Sequence, residues 1–140
     1  MVIDPSDEVG EELRALWNQV LAELRQVGEA CAGPEAQRRL RRIGVRRPDV
    51  LVAGLAGEYR RTRQMAVMGG CLLNAIDAPF PGGASPADCE GLARGFETLS
   101  ATYARLFERL APPQGSHRHT WLESRVRVHL ARAEALRLAL

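Results

Sequence analysis

Glu58 and His129 are the two residues whose types and positions suggest chemistry. Each falls in the middle of an otherwise apolar stripe at helical spacing. One stripe reads Leu51, Leu55, Glu58, Thr62, Met65, Gly69, Leu72 and Ile76, and the other reads Leu122, Val126, His129, Ala133, Leu136 and Leu140. Residues three and four apart share a helix face, so both polar groups are aimed at a core. A carboxylate buried there without a partner is costly. It either raises its pKa or finds a cation. A glutamate and a histidine that meet in apolar surroundings form a proton-transfer pair. The carboxyl serves as base or raised-pKa acid, and the imidazole as its partner or orienter.

This reading predicts a small-molecule site inside the fold, with Glu58 and His129 as its catalytic centre. It would take a mostly apolar metabolite through isomerase, cyclase or lyase chemistry, or simply bind it. Thr62 and Tyr59 would supply hydroxyls and Met65 an apolar wall. Gly69, with Gly70 and Ala133, would leave space, and Arg61 and Arg125 would stand at the stripe edges. The ordinary reading of the same residues is a buried structural pair joined by Arg61, Arg125 or Arg132. Arg61, three residues after Glu58, is its simplest partner.

A second pattern is the run Arg38, Arg39, Arg41, Arg42, Arg46 and Arg47, interleaved with Leu40, Ile43 and Val45. The apolar residues would anchor one side while the arginines fan outward as an anion site. The alternative function is therefore a non-catalytic module that binds an acidic partner or a nucleic-acid backbone. No aromatic lies in the run to stack a base. The chain has no lysine, so all 19 basic residues are arginine, and the net charge is only +2. A GC-rich bacterial genome explains that usage most simply.

Metal chemistry has little support. His117 and His119 have His-x-His spacing but no evident third ligand, and no glutamate is followed by histidine at three residues, as di-iron bundles require. The expectation is no metal and no cofactor. Cys31, Cys71 and Cys89 are odd in number and widely spaced, which suggests reduced thiols in a cytoplasmic protein. The acidic N-terminal residues lack a signal-peptide h-region, and no apolar run approaches the roughly 20 residues of a membrane span.

Helices must position these residues. The 140-residue chain is 46% hydrophobic, 26% charged and 5% aromatic, which fits one globular domain over residues 1–140. A first long helix is predicted from about Asp4 to Cys31, with a stripe of Val9, Leu13, Leu16, Val20, Leu24, Val27 and Cys31 that contains no charge. A short helix follows from Pro34 to Ile43. The second long helix is predicted from Pro48–Asp49 to about Asp77, ahead of a loop at Ala78–Gly83. The third begins after a Ser85 cap and runs to Leu110. The last begins near Thr120, which has capping-box spacing with Glu123, and ends close to Leu140.

Strand signals are nearly absent, so the fold class is all-α: an antiparallel four- to five-helix bundle. In an up-down-up-down bundle the second and fourth long helices run parallel. Glu58 and His129 each lie nine residues into their helices, roughly 13 Å along the axis, so level helix starts would let them meet. The charge-free first stripe is also compatible with a homodimer.

Overall fold

The computed structural model describes residues 5–42, 44–70 and 89–138. They form five helices and, among the described residues, no strand: α1 (Pro5–Ala32), α2 (Pro34–Arg42), α3 (Pro48–Met68), α4 (Cys89–Leu110) and α5 (His117–Leu138). This is an all-α bundle of four long helices with α2 across one end. None of the helices is long and apolar enough to cross a membrane.

Helix α1 packs against both α3 and α4, and this explains the breadth of its apolar face. The stripe Leu16, Val20, Leu24, Val27 and Cys31 is buried, and Trp17 and Leu21 beside it are buried too. Burying a Leu-sized side chain contributes about 1.5–3 kcal/mol, so this widened face supplies much of the core. Helix α4 adds Leu92, Phe96, Leu99, Tyr103 and Leu106, and α5 adds Leu122, Ala133 and Leu136. Leu40 and Ala36 tie α2 to the core.

Cross-helix contacts fix the helix directions. Arg109 pairs with Glu12 and Thr102 bonds Glu23, so α1 and α4 run antiparallel. Ser100 bonds the Val126 carbonyl while Phe107 packs on His119, so α4 and α5 are antiparallel as well. Glu58 meets His129 while Arg61 lies over Trp121, so α3 and α5 are also antiparallel, not parallel as the up-down-up-down reading assumes. By contrast α3 and α4 run in the same direction: Leu51 and Phe96 line one cleft, and Thr62 bonds Tyr103.

Two boundaries differ from the sequence reading. Helix α3 ends at Met68, not near Asp77, because Gly69 closes the last turn and Gly70 adopts φ +82°. That left-handed conformation suits glycine and stops the helix. Helix α5 starts at His117, not Thr120, because the Ser116 hydroxyl accepts a hydrogen bond from the His119 amide at 3.2 Å. Helix α4 is described from Cys89, and the Ser85 cap and the Ala78–Gly83 loop lie outside the described residues.

Candidate functional site

Glu58 and His129 meet in the core. His129 Nε2 lies 2.6 Å from Glu58 Oε2, and their side chains are 0% and 3% exposed. The carboxylate has two further donors. Tyr103 Oη donates to Oε2 at 2.9 Å, and Arg125 Nη1 donates to Oε1 at 2.9 Å. Thr62 Oγ1 lies 2.9 Å from the Tyr103 hydroxyl and donates to the Glu58 carbonyl at 2.8 Å. Arg125 is therefore the cation that holds Glu58. Arg61 stands elsewhere, with its guanidinium over the Trp121 ring.

The hydrogen bonds assign the proton on His129. Arg132 Nη1 can only donate, and it lies 3.3 Å from His129 Nδ1. Nδ1 is therefore the acceptor, and the proton sits on Nε2 facing Glu58. Neutral imidazole and anionic carboxylate follow. Burial lowers the His129 pKa, Glu58 opposes that change, and Arg132 and Arg125 reinforce it. For Glu58, burial acts to raise the carboxyl. Hydrogen bonds from His129 and Arg125, with the Arg125 charge, together outweigh it and hold the carboxyl below its ordinary range. Tyr103 is pushed well above its usual value by burial and by the neighbouring carboxylate, so it stays a donor.

Aromatic rings enclose the pair. His129 is stacked between Phe96, at 17° between planes, and Tyr103, at 6°. Arg132 lies over Phe96, and Arg125 over Trp121. The result is a carboxylate whose two oxygens are both occupied and a fully buried imidazole packed in near-parallel planes with two aromatic rings.

The other predicted ligand contacts spread outward. Thr62 is part of the network. Tyr59 is buried but turns to α1, lining a cleft with Asn18, Leu21 and Arg25. Met65 and Arg61 line a separate cleft of about 330 Å³ beside Trp121. Gly69 is exposed at the end of α3.

The arginine run lies on the end of the bundle. Arg38, Arg41, Arg42, Arg46 and Arg47 are exposed, and Arg39 is half-buried. Arg39 approaches Glu35 at 3.7 Å and Arg47 approaches Asp49 at 3.4 Å. Arg38, Arg41, Arg42 and Arg46 form no ion pair among the described residues. His117 is exposed and His119 packs edge-on against Phe107. Among the described residues no group of three His, Cys, Asp or Glu side chains could hold a metal ion.

Sequence reasoning missed the roles of Tyr103 and Glu23, while Arg132 stands among the arginines it offered for the pair. Tyr103 sits in a regular apolar stripe, where its ring satisfies the pattern and hides its hydroxyl. Glu23 lies beside the first stripe rather than in it. No family model matches the chain, and no curated protein or solved structure is similar to it.

Proposed function

We propose that this chain is a non-catalytic binding module that grips a nucleic-acid backbone with its arginine-rich end. The observation that carries the reading is the exposure of Arg38, Arg41, Arg42, Arg46 and Arg47 on one end of the bundle, anchored from beneath by Leu40. Planar guanidinium forks suit phosphate. Protein interfaces centre on buried aromatic and apolar anchors beside arginine, and among the described residues of this face Val50 is the large exposed hydrophobic. The phosphate backbone needs no such anchor.

This reading assigns Glu58 and His129 to the fold. A proton-transfer site needs a substrate within reach of its acid and base. Glu58 and His129 are buried, one cleft beside the network being lined by Arg61 and Trp121 and another by Phe96 and Arg132. A cytoplasmic location fits the reading, and a homodimer would double the arginine face.

Anisotropy of a labelled duplex DNA tests it. With about four phosphates neutralised, log K falls against log salt with a slope of about −3.6, or roughly 100-fold between about 50 and 200 mM salt. Arg41→Glu with Arg42→Glu weakens low-salt binding by about tenfold or more with unchanged circular dichroism. Binding that ignores salt, or no binding at low salt, rejects the proposal. Native mass spectrometry at low salt reports subunit count and any nucleic acid carried.

A further inference from the structure

The cleft of about 330 Å³ beside Trp121 lies between the last turns of α3 and the start of α5. Arg61, Met65 and Met68 line it from α3, and His117, Arg118 and Trp121 line it from α5. Arg61, Met68 and His117 are exposed, and Met65, Arg118 and Trp121 are half-buried, so a molecule in the cleft can reach every one of them. Met68 is 77% exposed, a large apolar side chain left in water. Neither Arg61 nor Arg118 forms an ion pair among the described residues, and no carboxylate among them lines the cleft. The Arg61 guanidinium lies instead 5.7 Å from the centre of the Trp121 ring. Arg125 approaches the same ring, but Glu58 already holds it at 2.9 Å. The cleft thus carries two guanidinium groups without a counter-charge.

We propose that this cleft binds a small aromatic anion, with one carboxylate or phosphate head on Arg61 and Arg118 and its ring on Met65, Met68 and Trp121. The arginines select the head. Guanidinium forks match the oxygens of carboxylate and phosphate, and uncompensated positive charge in a cleft raises the local concentration of anions. His117 and Gln64 bring further N–H donors to the same cleft. The methionines select the ring. A thioether packs favourably against aromatic rings, and its flexible chain adapts to their shape. Among the described residues no leucine, isoleucine or valine lines the cleft, so an alkyl chain would find no aliphatic wall. The volume sets the size. It falls at the lower end of the about 300–1,000 Å³ typical of ligand sites, which suits one or two rings. The site is separate from the arginine-rich end, which adjoins the opposite end of α3.

The test is a methyl-NMR titration of the full chain near neutral pH, with benzoate, phenyl phosphate, benzyl alcohol and cyclohexanecarboxylate as probes. The chain has three methionines, so the Met65 and Met68 methyl signals are simple to follow. The expected result is saturable shifts of both signals with benzoate or phenyl phosphate, and the tighter of the two identifies the head. Benzyl alcohol keeps the ring without the charge and should bind about tenfold more weakly. Cyclohexanecarboxylate keeps the charge without the aromatic ring and should bind about threefold more weakly. Arg61→Gln and Arg118→Gln, both at accessible positions, should each weaken binding of the tighter anion about tenfold with unchanged circular dichroism. Met68→Ala should weaken it about threefold. No saturation by either aromatic anion at tens of millimolar, equal affinity for benzyl alcohol, equal affinity for cyclohexanecarboxylate, or unchanged binding by both glutamine variants would each overturn the proposal. These outcomes leave the arginine-rich end untouched, because its test reads salt-dependent binding of DNA.

Discussion

Glu58 is held by three donors, so its removal strands Arg125 and His129 in the core. Losing one partner of a buried charged pair costs about 3–5 kcal/mol, a large part of the about 5–15 kcal/mol that holds a domain together. Glu58→Ala should therefore lose that much in urea unfolding. Tyr103→Phe removes one hydrogen bond to a charged group and should lose about 1.5–3 kcal/mol. The pH dependence has a definite sign. His129 ordinarily titrates near 6.5, and its folded value is lower, so below that pH the unfolded chain binds a proton that the fold refuses. Stability should fall as pH drops through 6.5, by up to about 1.4 kcal/mol per pH unit. Glu58, lowered from 4.5, adds to the loss below that value, while Glu23, raised from 4.5, acts in the opposite sense above it. Urea midpoints of the native chain and His129→Gln between pH 7 and 5.5 would isolate the histidine, because the substituted chain should show the flatter profile. Glu58, Thr62 and His129 were legible because each interrupts an apolar stripe. Tyr103 was not, because a buried tyrosine satisfies the same pattern as a phenylalanine.

Helix ends and close approaches carry the next predictions. Helix α4 stops where Ala111 adopts φ 42°, with its amide bonding the Phe107 carbonyl at 3.0 Å. An alanine in the left-handed region costs about 1–2 kcal/mol. Ala111→Gly relieves that cost but frees the unfolded chain, so the net gain in urea unfolding should be about 0.5–1 kcal/mol. Gly95 brings α4 close to α1, and a Cβ there would lie 3.1 Å from Val27 Cγ2. Gly95→Val should overpack that contact and lose about 1–3 kcal/mol, and Val27→Ala in the same chain should recover part of it. Element types were legible from period, but boundaries were less so. The apolar pattern continues through Leu72 and Ile76, so periodicity alone runs past Gly69 and Gly70. At α5, Thr120 and Glu123 have the spacing of a cap, yet the working cap is Ser116, three residues before the His119 amide.

At the scale of the whole molecule, helix directions decide what meets what. The sequence reading placed Glu58 and His129 level by assuming parallel helices. They meet although α3 and α5 are antiparallel, because each lies near the middle of its helix and a midpoint stays level in either direction. Apolar stripes carry no sign of direction, so only the contacts reveal it. The arginine end is a property of the assembled bundle, since α2 shows its basic face only because Leu40 and Ala36 are buried beneath it. The two tryptophans divide the molecule in another way. Trp17 is 2% exposed in the core, while Trp121 is half-buried with the Arg61 and Arg125 guanidinium groups each 5.7 Å from its ring. They form two optical reporters in one chain. Trp17 should emit at short wavelength until the whole bundle opens. Trp121 should answer first to any event that shifts α3 against α5, so replacing either one with phenylalanine would give a fluorescence record of core or surface alone.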